Sequence, residues 1–251
     1  MLTIKTGFEK IRRVEFEARI FISLGVVALV CMVNFALFPG LPENTVLIGR
    51  LFGWSPEWSK TVGFGFVALL MVKATLLRMW AGTVLSSPLV MSFRIQKDVL
   101  AIEGPYLFTR NPIYLADLIA FCGFALSLSP IGVAIPVLLF VHYIQLIKYE
   151  EVSLEKHFGA DFRAYKLHTP RFLPNLHSLR RLGTALTQFR INRDGFRHDA
   201  LYLLFIPGFI VSAVTGRLIH AIIIGLPAVF DWAIVHTRIG LDPESHKIKN
   251  Q

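Results

Sequence analysis

NPIYLADLIAFCGFALSLSPIGVAIPVLLFVHYIQLIKYEE, residues 111–151, holds two apolar runs, Ile113–Leu128 and Ile131–Ile147, separated only by Ser129 and Pro130. So short a link forces the two runs to lie antiparallel as a tight helical hairpin. The hairpin in turn decides what meets at its open end. Arg110, Asn111 and Tyr114 at the start of the first helix come beside Glu150 and Glu151 at the end of the second.

Outward from the hairpin, four further apolar runs are visible: Ile20–Phe38, Val62–Trp80, Ala200–Thr215 and Leu218–His236, the last two joined through Gly216 and Arg217. Three of these runs have 19 residues. At about 1.5 Å per residue that nearly matches a hydrocarbon core of about 30 Å. With 54% hydrophobic and 17% charged residues and a mean hydropathy of +0.56, the chain reads as an all-α polytopic membrane helix bundle of about six transmembrane helices. The first run reads as a retained span rather than a cleaved leader, because no small-residue cleavage site follows it.

The basic residues set the expected orientation. Of the 26 Lys and Arg, 21 fall in the termini and the segments 81–112 and 148–199, 3 fall in the opposite loops, and Lys73 and Arg78 lie inside the second run. Positive charge accumulates on the cytoplasmic side, so both termini and both large polar segments are expected there, in a bacterial inner membrane. The net charge of +9 is accounted for by topology and anionic lipid headgroups, and no nucleic-acid partner is expected. Cys31 and Cys122 lie in separate apolar runs and suggest neither a disulfide nor a metal site.

The open end of the hairpin carries the chemistry. Asn favours the N-cap and Pro the position after it, so Asn111 and Pro112 begin the helix, with Tyr114 one turn on and Arg110 just before it. A helix N-terminus with an arginine suits an anion, and Gly104 and Pro105 supply a turn that brings the chain close to a ligand. The alternative is a well-capped helix with interfacial Arg and Tyr. On the other strand of the hairpin, KYEEVSLEKHFGADFRAYKLHTPRFLPN, residues 148–175, continues out of the bilayer, with Leu154, Phe158, Phe162 and Tyr165 at the spacing of a surface amphipathic helix interrupted by Gly159. Local pairing of Glu151 with Lys148 or of Glu155 with its neighbours is the competing explanation for its charges. If the hairpin ends converge, a basic wall faces carboxylates in a pocket suited to a zwitterionic ligand with ribose hydroxyls.

GPYLFTRNPIYLA followed by YEEVSLEKHFGADFRAYKLHTPRFLP resembles the paired signature of the isoprenylcysteine carboxyl methyltransferase and phospholipid methyltransferase superfamily. The resemblance covers about residues 97–175 and implies S-adenosylmethionine as cofactor, with a lipophilic acceptor reaching the site from the bilayer. Through it, Gly104, Tyr106, Arg110, Asn111, Pro112, Tyr114, Glu150, Glu151 and Tyr165 are the expected cofactor-binding residues. Arg171, Glu150 and Glu151 are the expected catalytic residues, and Phe158 and Gly159 match the same signature. Asn111 stands where many members have His, Ala116 where Gly is usual, and Phe162 in place of Tyr. The implied organisation is N-terminal membrane helices over 1–96, a methyltransferase core over 97–175, and a connector with a C-terminal helical hairpin over 176–251.

Three functions remain in play at this stage: methyl transfer, an NADPH-dependent membrane sterol or enone reductase with a similar Arg-His-Pro segment, and a non-catalytic scaffold. The methyl acceptor is open between an isoprenylcysteine-like carboxylate, a phospholipid amine and a small thiol. Within the spans, Lys73 is expected to snorkel to the interface or to pair with Asp231, and His142, Gln145 and Asp117 to make interhelical hydrogen bonds or to face the acceptor.

Overall fold

The computed structural model describes residues 14–85 and 99–241. Among them the secondary structure is helical throughout. Helix α1 spans Arg19–Leu37, α2 Asn44–Leu51, α3 Pro56–Leu85, α4 Pro112–Leu126 and α5 Ala134–Phe158. The short helices α6 (Ala160–His168), α7 (Leu176–Leu179), α8 (Leu182–Thr187) and α9 (Arg193–Asp199) lead to a final pair, α10 (Phe205–Thr215) and α11 (Ile219–Leu241). The helices Arg19–Leu37, Pro56–Leu85 and the continuous Pro130–Phe158 are long and apolar enough to cross a membrane; Pro112–Leu126, Phe205–Thr215 and Ile219–Val235 are shorter apolar helices. The membrane helix bundle expected from the apolar runs is thus present. The boundary expected between 96 and 97 lies outside the described residues.

The hairpin of α4 and α5 is built as its short link requires. Its tip is a 3-10 turn, Pro130–Val133, and polar groups just ahead of it, at Ala125 and Ser129, are satisfied by side chains from neighbouring segments. Asn44 Nδ2 donates to Ala125 O at 2.9 Å and Ser129 O at 3.0 Å, and Asn34 Oδ1 accepts from Ser129 N at 3.1 Å and Ser129 Oγ at 2.6 Å. Polar side chains do here what water does for an exposed turn. Asn44 begins α2, a helix the apolar runs did not indicate, because its eight residues lie in the polar loop between two spans.

Helix α3 exceeds its predicted run, Val62–Trp80, at both ends. Ser55 Oγ accepts from Trp58 N at 3.2 Å just ahead of Pro56, and Glu57 occupies the favourable first turn, so the helix starts in the interface. The fifth run shortens instead. Residues 201–204 are turns, and α10 starts at Phe205 with Pro207 in its first turn, where a missing N–H costs nothing. Helix α11 packs back on α10 where Gly208 meets Ala221; a Cβ at 208 would stand 2.9 Å from Ala221 Cα.

Neighbouring helices follow the order α1, α5, α4, α3, α10, α11. One apolar core joins α1, α4 and α5 through Val30, Leu115, Leu139, Leu146 and Ile147; a second joins α3, α4, α10 and α11 through Phe64, Val67, Met71, Ala120 and Phe209. Helix α4 contributes to both and is the hub. The two ends of the row, α1 and α11, both line one large cavity.

Candidate active site

The converging ends of α4 and α5 are locked by a partly buried ion cluster. Arg110 donates from Nε at 3.0 Å and Nη2 at 2.8 Å to Glu151 Oε1, while Arg171 donates from Nε at 3.0 Å and Nη2 at 2.7 Å to Glu151 Oε2. One carboxylate therefore joins two guanidinium forks, the geometry that makes such pairs strong. Arg110 Nη1 also donates to Thr169 O at 2.8 Å and Lys166 O at 3.2 Å. The segment after α6 is strapped to the start of α4 by three consecutive residues: Thr109 Oγ1 donates to Phe172 O at 2.6 Å, Arg110 N to Pro170 O at 3.0 Å and Asn111 Nδ2 to Arg171 O at 2.6 Å.

These bonds correct one expectation and set aside one alternative. Asn111 occupies the N-cap position of α4, but it makes no side-chain cap; its amide is spent on Arg171 O, leaving the first-turn N–H groups uncapped by a side chain. Glu151 does not pair with Lys148 or Lys156, because its position on α5 turns it inward, where the two arginines lie. Nor does Arg110 present its guanidinium to a ligand as a free cation, since most of its donors are engaged inside the protein.

Glu150 is held differently. It accepts from Tyr114 Oη at 2.6 Å, and the Tyr114 ring packs on Tyr143 with centroids 5.0 Å apart. Arg19, at the start of α1, is buried nearby against Phe16, donating from Nη1 to Phe16 O at 2.9 Å with its guanidinium 4.2 Å from the ring. Tyr165 donates to Tyr106 O at 2.7 Å, and burial pushes its hydroxyl above the usual phenol range, so it stays a proton donor. Hydrogen bonding to Glu151 raises Arg171 above the ordinary arginine range, so it is a fixed cation.

Gly104 shapes the approach to this cluster from below. Its φ of +55° admits few other residues, and a Cβ there would stand 2.9 Å from Trp80 Nε1. Its N–H donates to Gln188 Oε1 at 2.8 Å, and Phe189 packs on Trp80 with centroids 5.2 Å apart, so the segment after α8 braces the Gly-Pro-Tyr turn.

A cavity of about 940 Å³ opens from the cluster into the bundle. Tyr106, Arg110, Asn111, Pro112, Tyr114, Glu150, Glu151 and Tyr165 all line its polar end, together with Leu154 and Phe162. Of the expected site residues, Gly104 and Arg171 stand behind this lining. From there the cavity runs between α1 and α11 to Phe35, Phe124 and Ile219 at the opposite ends of their helices. From Arg19 to Phe35 α1 rises about 24 Å, most of a hydrocarbon core.

Several residues with this setting escaped the sequence reading. Arg19 and Arg78 entered only as topology charges, and Tyr143, Tyr202 and Trp232 were not singled out, yet all line the cavity. Opposite charges in two apolar runs were the available signal for one pair: Arg78 on α3 bonds Asp117 on α4. Conversely, His142 lies outside the lining and meets Glu15 Oε1 through Nδ1 at 3.2 Å, and Gln145 is exposed. Lys73 and Asp231 are both exposed, and no ion pair joins them among the described residues.

The cobalt-zinc-cadmium resistance protein CzcN of Cupriavidus metallidurans is 28% identical over 136 residues, a match covering 52% of this chain and 59% of that protein. The match thus spans less than two thirds of the length of that curated relative. Among the described residues no group of three His, Cys, Asp or Glu side chains is placed to hold a metal ion. No solved structure matches the chain. The family model for phospholipid methyltransferases matches residues 58–161, the stretch running from α3 through the hairpin into α6. Residues 58–161 of this chain are thus similar to the phospholipid methyltransferases, a family within the isoprenylcysteine and phospholipid methyltransferase superfamily of membrane methyltransferases.

Proposed function

We propose that this chain is an S-adenosylmethionine-dependent methyltransferase that modifies a lipophilic acceptor drawn from the bilayer. The observation that carries the proposal is the single cavity whose polar end is lined by the motif residues and whose apolar end spans most of the membrane. The residues at the polar end suit the cofactor. Glu150 has one bond from Tyr114 and further lone pairs for an ammonium or ribose hydroxyls, and Leu154 and Phe162 give an apolar surface for a base.

S-adenosylmethionine, when bound, supplies a methyl group on a sulfonium; the acceptor's lone pair forms the new bond to carbon while the carbon–sulfur pair returns to sulfur as a neutral thioether. Because charge is lost in that displacement, alignment and exclusion of water matter more than strong acid catalysis. The Arg110, Glu151 and Arg171 clamp serves alignment, holding α4, α5 and the strap after α6 in one register. Glu151, with both oxygens on guanidinium groups, is a positioning residue in this scheme. Glu150 is the carboxylate placed to take a proton from a protic acceptor. Residues 97–175 form the transfer core, and 1–96 and 176–251 supply the acceptor walls, with the polar end at the cytoplasmic face as the charge asymmetry requires.

Membranes containing the protein, incubated with methyl-labelled S-adenosylmethionine and resolved by chromatography, test the proposal. Label is expected in an organic-extractable product in wild-type membranes and absent with Glu150→Gln. No labelled lipophilic product across bacterial, phospholipid and prenyl-lipid membranes refutes it.

A further inference from the structure

Two buried arginines of the bundle are matched by carboxylates. Arg110 meets Glu151; Arg78 donates to Asp117, which also accepts from Tyr202 Oη at 2.8 Å, and Arg78 Nε lies 3.4 Å from Asp199 Oδ1. The connector between α6 and α9 is built on the opposite plan. LHSLRRLGTALTQFRINR, residues 176–193, holds four arginines, Arg180, Arg181, Arg190 and Arg193, and no Asp or Glu. Among the described side chains no carboxylate pairs with any of the four.

The apolar side chains of this connector divide between two surfaces. Leu182 and Ala185 pack with Trp80 and Phe108, and Phe189 meets the Trp80 ring edge-on at 5.2 Å. Their spacing of i, i+3 and i+7 gathers them on the side that faces the bundle. Three leucines are left uncovered: Leu176 is 82% exposed, Leu179 43% and Leu186 53%. Leucines interleaved with unpaired arginines are costly against water and favourable at the boundary of headgroups and acyl chains.

The connector is held at that boundary. Asn192 N donates to Thr83 Oγ1 at 3.1 Å near the end of α3, and Gln188 Oε1 accepts from Gly104 N at 2.8 Å. Upstream, the strap over residues 170–172 is bonded to the start of α4. These are the ends at which the apolar runs of α3 and α4 stop, so the exposed leucines and arginines lie along the bilayer surface. A guanidinium there meets phosphodiester oxygens in a two-pronged fit, and a surplus of cations with no acid between them favours headgroups of net negative charge.

We propose that residues 176–193 are an interfacial anchor for anionic phospholipid headgroups, and that their seating on the membrane, transmitted through Gln188, holds the Gly104 turn in place. The purpose of that coupling rests on the methyl-transfer reading, because the turn belongs to the expected cofactor site; the anchor itself does not depend on it. The anionic lipid is then a regulator at the surface, distinct from the molecule that receives the methyl group. The whole device lies beyond the family match, which ends at residue 161.

The test uses the full chain with Cys31→Ser and Cys122→Ser, carrying Leu186→Cys labelled with a polarity-sensitive bimane. It is placed in nanodiscs of phosphatidylcholine alone or mixed with phosphatidylglycerol. The emission is expected to shift to the blue only in the mixed discs, and high salt should reverse the shift. Arg180→Gln together with Arg181→Gln should raise the phosphatidylglycerol needed by about fivefold per arginine. Hydrogen exchange of the peptide containing Gly104 should slow several-fold in the mixed discs, and Gln188→Leu should abolish that slowing while the bimane shift stays. Equal emission in the two discs overturns the proposal, as does a shift that ignores the loss of both arginines. So does a shift produced in neutral discs by free glycerophosphoglycerol or by polyglutamate, which would make this a surface for a soluble anion or an acidic protein. Exchange at Gly104 that is indifferent to the lipid overturns the coupling. Failure of S-adenosylmethionine to bind in either disc, with both lipid responses intact, refutes the methyl-transfer reading and leaves the anchor standing.

Discussion

Replacing Glu151 by Gln removes one negative charge and nothing of the side chain's shape, so its effect measures the double clamp. Arg110 and Glu151 have side chains 9% exposed, whereas Arg171 is 42% exposed. Breaking a buried pair from one side leaves an uncompensated charge and costs about 3–5 kcal/mol, while an exposed pair contributes about 0–1 kcal/mol. The Gln oxygen still accepts from one guanidinium, but its amide then faces the donors of the other, so the lower part of the range applies, about 3 kcal/mol. For a chain of this size that corresponds to a fall in Tm of roughly 6–12 °C. Arg171→Ala should lower Tm by no more than roughly 4 °C. The assay is thermal unfolding of the two purified variants in the same detergent. An unaltered Tm for Glu151→Gln, or an equal loss in both variants, contradicts the view that the buried Arg110 pair locks the hairpin end.

Gly104→Ala forces a side chain into a positive-φ turn under Trp80, with a strain of about 1–2 kcal/mol before any clash is relieved, and roughly tenfold weaker S-adenosylmethionine binding is expected by titration. Tyr114→Phe deletes the 2.6 Å bond to Glu150 while keeping the ring on Tyr143; a hydrogen bond to a charged group is worth about 1.5–3 kcal/mol, so cofactor affinity should fall by about tenfold or more. Cys31 lines the cavity from α1 and Cys122 lies exposed on α4. A long-chain alkylmaleimide should therefore inhibit methyl transfer in the wild type and spare Cys31→Ser, while Cys122→Ser stays sensitive; mass spectrometry of the adducts and residual activity check both.

The legible parts of this molecule were those that short-range physics imposes. A two-residue link between apolar runs admits only a hairpin, and the hairpin alone brings Tyr114 to Glu150 and Arg110 to Glu151. What sequence spacing does not encode is which partner each polar group chooses once several are near. Asn111 had the position and chemistry of a cap, yet a carbonyl 60 residues away, Arg171 O, is the acceptor its amide reaches. Helix ends moved for the same reason. The polar interface residues Glu57 and Lys60 extend α3 beyond its apolar run, with Lys60 paired to Glu43 at 2.8 Å, and Pro207 delays α10. Arg78, Asp117, Asp199 and Tyr202 come from four separate segments, so their convergence follows from tertiary packing of α3, α4, α9 and the turn before α10. Only the presence of unpaired opposite charges inside two apolar runs hinted at it.

The most direct measurement is a paired titration of the purified chain with S-adenosylmethionine and NADPH, repeated with Glu150→Gln. One equivalent of S-adenosylmethionine is expected to bind the wild type, NADPH is not, and Glu150→Gln should weaken the first at least tenfold while its unfolding temperature stays close to that of the wild type. Binding of NADPH instead, or S-adenosylmethionine binding indifferent to the charge at Glu150, would mean that the meeting of Tyr114 with Glu150 at the hairpin mouth serves something other than methyl transfer.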